Sequence, residues 1–143
     1  MKKLTAHERG WVEAFIDAEC SLSLLARVKK DTRRGHDWVP FLQCTTTTRE
    51  QVERLRLLVG GTISGPYPNL GFKNAKVIYH YGMTSNGLRW LLPQLRLITK
   101  ERHRLLLIEA LALLATYRPG TPVMYDKRLQ KIRNEMRILN GGV

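Results

Sequence analysis

The stretch "GWVEAFIDAECSLSLL", residues 10–25, holds the side chains best placed to do chemistry. Asp17 and Glu19 stand two residues apart at the end of an apolar, helix-like run, and strand-like sequence follows at once. Residues so spaced leave a helix in different directions, so the two acids serve different ends. Both occupy the last helical turn, the negative end of the macrodipole, where a cation is preferred. Helix stability does not explain two acids there. They are candidates for work on a partner outside the helix.

The remaining composition says what that partner is. The chain has 143 residues, enough for one domain with a sizeable core, and its hydrophobic content of 43% is that of an ordinary globular protein. Lys and Arg number 24 against 12 Asp and Glu, a net charge of +12. Such an excess calls for a polyanion, nucleic acid first and an anionic membrane second. The most apolar stretch, "LLLIEALALLATY", is short and interrupted by Glu109, so no membrane span is expected. "MKKLTAHERG" lacks the apolar core of a secretion signal. Two cysteines, Cys20 and Cys44, make no disulfide framework, and His7, His36, His80 and His103 form no metal-ligand spacing with them. The expected location is intracellular and reducing: the cytoplasm or nucleoid of a prokaryote, or an organelle.

Local patterns supply the elements that must position the acids. Thr5 with Glu8 reads as a capping box opening a helix over 6–19, with Trp11, Phe15 and Ala18 as its buried stripe. Gly10, Ala14 and Ala18 form a ridge of small residues four apart that lets a second helix approach closely, with Glu13 an awkward charge on it. "SLSLLARVKK" alternates as a strand, with Leu22, Leu24, Ala26 and Val28 inward and Ser21, Ser23, Leu25, Arg27 and Lys29 outward. After the turn "DTRRGHD", "WVPFLQCTTTT" reads as its partner, with Pro40 expected at an edge or strand start. Thr48 with Gln51 is expected to cap "REQVERLRLLV", closed by Gly60 and Gly61. "TISGPYPNLGFKNAKVIYHYGM" reads as a second hairpin. Ser85 is expected to cap a helix through Leu92, and Thr99 to open one over 100–116. Residues 118–122 read as a linker within a single domain spanning 1–143, and 123–139 as a basic final helix.

The order is αββαββα with helices appended, an α+β fold. One antiparallel sheet is covered by helices on one face, which leaves the other open. Arg27, Lys29, Phe41, Gln43 and Thr45 fall on the open face, with Lys30, Arg33, Arg34 and His36 at the hairpin tip. A two-stranded ribbon fits the DNA major groove, where Arg reads guanine, Gln reads adenine and apolar groups meet thymine methyls. Ser21, Ser23, Lys76 and His80 complete the expected DNA contacts.

"WVEAFIDAECSLSL" resembles the LAGLIDADG motif of homing endonucleases in the form ending in glutamate: Phe15-Ile16-Asp17-Ala18-Glu19, then a strand. "PFLQC", the Lys in "ITKERHRLL" and the final "ILN" also look like family features. Val12 and Glu13 replace the motif's leading Leu-Ala, and Ala14 and Cys20 stand where glycine is common.

The resemblance implies a sheet shaped as a DNA-binding saddle and a metal-dependent double-strand DNA endonuclease. With a single motif, it implies a homodimer paired through Gly10, Ala14 and Ala18, cutting a long pseudo-palindromic site. Two Glu19 carboxylates would then meet above the scissile phosphates with two or more Mg²⁺ ions between them. Asp17 would be structural, capping backbone amides near the partner motif. Lys100 would support the charged transition state, and either Gln43 or Thr46, which face opposite ways, would hold a water or a base. The alternatives are a non-cleaving, maturase-like splicing or DNA/RNA-binding protein of the same fold, and an unrelated RNA-binding domain. The last would need stacking aromatics on the open sheet face, with Phe41, Tyr79 and Tyr81 as candidates.

Overall fold

The computed structural model describes residues 2–28, 36–71, 76–116 and 123–142. The chain runs α1 (Ala6–Glu19), β1 (Ser21–Val28), β2 (His36–Thr46), α2 (Arg49–Val59), β3 (Thr62–Tyr67), β4 (Ile78–Met83), α3 (Ser85–Leu91), a 3₁₀ turn (Leu92–Gln94), α4 (Glu101–Ala115) and α5 (Val123–Leu139). Four strands form one antiparallel sheet in the order β1-β2-β4-β3. The expected linker at 118–122 lies outside the described residues.

Alternation along the strands decides which face is covered. Leu22, Leu24, Leu42, Cys44, Tyr81 and Met83 are buried beneath Val12, Phe15 and Ile16 of α1, Val52 and Leu55 of α2, Leu88 and Leu91 of α3, and Leu106 and Leu107 of α4. α5 belongs to the same core: Leu129, Ile132 and Met136 are buried, and Arg128 pairs with Glu109 of α4 at 2.6 Å. None of the described helices is long and apolar enough to cross a membrane.

The capping box at Thr5 and Glu8 forms, with the Glu8 amide donating to Thr5 Oγ1 at 3.2 Å and the Thr5 amide to Glu8 Oε1 at 2.9 Å. Other local expectations change. The buried stripe of α1 is Val12, Phe15 and Ile16, while Ala18 is exposed, because the sheet lies under a face rotated from the one the Trp11 spacing suggests. Thr48 holds the N-cap position of α2 without a side-chain bond, and Thr84, not Ser85, precedes α3. Lys100, not Thr99, is the N-cap of α4, and its side chain does not cap. Pro40, expected on an edge or at a strand start, lies on an edge stretch inside β2. Pairing with β4 begins only at Leu42, so at Pro40 the strand has β1 as its one neighbour, where a missing N–H is tolerated.

Candidate functional site

α1 ends at Glu19, and β1 leaves its C-cap, Cys20, at once, so the motif acids stand where helix, sheet and the approach to α4 meet. Asp17 turns toward residues 98–100. Its carboxylate accepts from the Ile98 amide at 2.6 Å, the Thr99 amide at 3.3 Å, Thr99 Oγ1 at 3.0 Å and the Lys100 amide at 3.0 Å. It therefore caps backbone amides, those at the start of α4 of its own chain. Burial pushes the Asp17 carboxyl up, but these amides and the hydroxyl together hold it below the usual carboxylate range.

Glu13, one turn earlier, accepts from the Arg96 amide. It is thus no intruder on the small-residue ridge: Glu13 and Asp17 share one flank of α1 and both bind the segment leading into α4. Lys100 Nζ turns back to the Asp17 carbonyl, which supplies the cation that the C-terminal end of α1 lacks in sequence.

Glu19 is left over. It is exposed and has no partner among the described residues. With α1 ending at Glu19 and Lys100 Nζ on the Asp17 carbonyl, acid and ammonium belong to the same junction. Among the described residues no group of three or more His, Cys, Asp and Glu side chains can hold a metal, so one chain offers a single free carboxylate here. That donor is of the right hardness for Mg²⁺, and it leaves positions for water, phosphate or a second chain.

Gln43 faces the open side opposite Ser21 on one neighbour and Gly82 on the other, both small, so its exposed amide stands alone near the strand end. Thr46 does not join it. Thr46 pairs with Tyr79 in the opposite alternation, and its hydroxyl accepts from the Thr48 amide at 3.0 Å. Thr45 shares Gln43's face, with Thr45 Oγ1 and His80 Nδ1 at 2.9 Å and the Tyr67 ring 5.2 Å from the imidazole. These residues border a concavity of about 590 Å³ that includes Phe41, Gln43, Cys44, Thr45, His80 and Gly82.

Arg27 is exposed on the same face opposite Asp37, and Lys76 is exposed just before β4. Ser23 lies opposite Phe41, but its hydroxyl is buried without a partner, so it does not present itself to a ligand. Lys29, Lys30, Arg33 and Arg34 lie outside the described residues, as does the side chain of His36. Tyr81 is in the core, its hydroxyl donating to the Gly60 carbonyl at 2.7 Å. Tyr79 lies on the covered side beneath the Arg49 guanidinium, 5.6 Å from the ring centroid. Neither is on the open face, so of the three candidate stacking aromatics only Phe41 is left there.

Gly10, Ala14 and Ala18 are all exposed, and a Cβ added at Gly10 meets nothing within 4 Å. A flat stripe of helix surface is thus left uncovered by the rest of the chain.

The fold is found in known structures. An archaeal intron-encoded homing endonuclease, I-Vdi141I, solved in complex with DNA, superposes with a TM-score of 0.76 at 26% identity over 93% of this chain and 84% of that one. The chain has the LAGLIDADG homing endonuclease fold. The homing endonuclease I-CvuI, solved on the I-CreI target with Mg²⁺ and the DNA uncleaved, matches with a TM-score of 0.72 at 15% identity over 97% and 87% of the two chains. I-TnaI matches with a TM-score of 0.70 at 18% identity over 94% and 89%. No protein-family model matches this chain, and no curated protein does. With the LAGLIDADG helix identified as α1, two features escape sequence reasoning: Glu13 as a second anchor for the approach to α4, and the Thr45–His80 pair. Only the β2–β4 register shows the latter.

Proposed function

We propose that the chain, 1–143 as one domain, is a site-specific DNA endonuclease. In this reading it acts as a homodimer on a long pseudo-palindromic target and hydrolyses a phosphodiester in each strand with divalent metal. One observation carries the reading. Of the carboxylates near the end of α1, Glu13 and Asp17 are taken up by backbone amides, and Glu19 alone is free at the junction with the sheet. The similar I-Vdi141I and I-CvuI were solved on DNA, which supports DNA as the polyanion that the net charge of +12 calls for.

The exposed stripe of Gly10, Ala14 and Ala18 is the surface for a second copy, which brings Glu19 of each chain to the shared axis. Those two carboxylates would hold the metal, two or more ions in the dimer. When bound, the metal polarises the phosphate and lowers the pKa of its water. Lys100, anchored at the end of α1, faces the charge that develops on the phosphoryl oxygens. Gln43 orients the attacking water; Thr46, engaged by the Thr48 amide, does not. Ser21, Arg27, Phe41, Thr45, Lys76 and His80 face the groove, and Lys29, Lys30, Arg33, Arg34 and His36 add charge toward the phosphates.

The test is to incubate the protein and Mg²⁺ with its own coding locus from which the intervening sequence has been removed. One defined double-strand cut is expected. Intact DNA, or cutting without site preference, would overturn the reading.

A further inference from the structure

Cys20 and Cys44 take no part in the proposed chemistry, yet they are the peptide neighbours of Glu19 and Gln43. Ser21 is opposite Gln43 in the β1–β2 register, so one step further places Cys20 opposite Cys44. Both are free thiols, 4% and 3% exposed, packed in the same buried cluster. Directly opposed residues of an antiparallel pair have Cα atoms roughly 4.5–5.5 Å apart, inside the roughly 4.4–6.8 Å window of a disulfide. Cys44 also borders the concavity of about 590 Å³ on the sheet. A pair that only filled space would not need two sulfurs in register, one of them on a residue that borders a concavity.

We propose that Cys20 and Cys44 are an oxidisable dithiol that a hydroperoxide closes to a disulfide, displacing the neighbouring Glu19 and Gln43. The Cys44 sulfur attacks one peroxide oxygen and the O–O bond breaks. The alcohol or water leaves with the thiol proton, and Cys44 becomes a sulfenic acid. The Cys20 sulfur then attacks Cys44 Sγ, and the hydroxyl leaves with the Cys20 proton as water. Two thiols and one hydroperoxide thus give one disulfide, one water and one alcohol, or a second water when the oxidant is hydrogen peroxide. Closure fixes both side chains at a bond of about 2.05 Å and ties the α1–β1 junction to β2, so Glu19 and Gln43 are held where the bond sets them. Misplacement on the order of 1 Å costs reacting groups roughly 10²-fold. The loss of cleavage rests on the nuclease reading; the dithiol chemistry does not.

The experiment treats the reduced full chain with hydrogen peroxide, followed by non-reducing peptide mapping and single-turnover cleavage. Expected are a Cys20–Cys44 crosslink with loss of two hydrogens from the intact mass, cleavage roughly 10²-fold slower, and recovery with dithiothreitol. Cys20→Ala and Cys44→Ala should each cut at the reduced wild-type rate and form no intramolecular crosslink with peroxide. Thiols that stay free, Cys44 oxidised further without a crosslink, or a crosslinked protein that cuts unchanged would overturn the proposal. Reduced protein that fails to cut counts against the nuclease reading alone. The crosslink, with altered hydrogen exchange at residues 19–21 and 43–45, then decides the dithiol.

Discussion

The carboxylate of Asp17 meets the backbone amide of Lys100 at 3.0 Å, while the Lys100 ammonium turns back onto the carbonyl of Asp17. Two helix ends are satisfied by one exchange. The acid sits at the N-terminus of α4 and the cation at the C-terminus of α1, each where the macrodipole favours it. An acid that looks misplaced on its own helix is well placed on another.

Asp17→Asn removes the charge and leaves one acceptor oxygen for four donors. The expected cost is about 1–2 kcal/mol, in the range of a lost helix cap. Because Asp17 titrates below its ordinary 3.8, its contribution is complete above that pH and is lost as pH falls through the lower folded value. Urea unfolding should show a lowered midpoint at neutral pH with an unchanged slope, and a smaller acid-induced loss than in the wild type. Equal midpoints would remove Asp17's capping role.

How far the sequence reaches is clearest at these residues. The 6–19 helix, the 49–59 helix and the strand alternation were legible because cap, period and burial agree. Glu19 could be singled out because motif and dipole argument meet there. The partners of Asp17 and Glu13 lie more than 80 residues away along the chain, and no local spacing encodes such a contact. The face of α1 turned to the core was misjudged for a related reason. Trp11, Phe15 and Ala18 are spaced as well as Val12, Phe15 and Ile16, and only the sheet beneath decides between them. Thr48 forms no capping box because the Gln51 amide donates to the Thr48 carbonyl and the Thr48 amide goes to Thr46 Oγ1.

His103 gives a second pH signature. It is buried on α4, its Nε2 paired with Asn140 Oδ1 at 3.0 Å and its Nδ1 without a partner. Burial holds the imidazole below its ordinary 6.5, nearby Lys100 adds to this, and Asn140 and Asp17 oppose it. The unfolded chain therefore takes the proton first, and stability should fall as pH drops from 6.5 toward the folded value. The slope is at most about 1.4 kcal/mol per pH unit. His103→Gln should flatten that segment of the stability curve, measured by urea unfolding between pH 7 and 5. An unchanged slope would show that His103 is not its source.

Ala14→Leu tests the uncovered stripe of α1. Ala14 is exposed in the single chain, so the extra volume is harmless there. Against a second helix it overpacks the contact and weakens association by about 1–3 kcal/mol. Sedimentation should show a dimer for the wild type and dissociation at higher concentration for the variant. A wild-type monomer on DNA would count against the shared site.

Salt should weaken DNA binding steeply if the open sheet face works through phosphates. A dimer neutralising roughly 6–10 phosphates loses on the order of 10³–10⁵ in affinity between about 50 and 200 mM salt. Arg27→Ala separates the two kinds of contact. Relaxed specificity at one symmetric pair of positions in a binding-site selection marks a base reader. A uniform loss with a shallower salt slope assigns Arg27 to the backbone.

Glu19→Gln bears most directly on the chemistry. The substitution keeps size and shape and removes the one free carboxylate at the α1–β1 junction. A metal ligand so altered loses its hold on the cation, so cleavage should collapse by several orders of magnitude. DNA affinity in Ca²⁺ should persist or rise, because an anion no longer faces the phosphates. Asp17→Asn should do the reverse, lowering stability more than the cleavage rate of the remaining folded protein, since its carboxylate binds amides and not metal. Both variants are compared by gel-shift affinity in Ca²⁺ and single-turnover cleavage in Mg²⁺. Wild-type cutting by Glu19→Gln would make Glu19 an ordinary solvated helix end and deprive the endonuclease reading of its metal ligand.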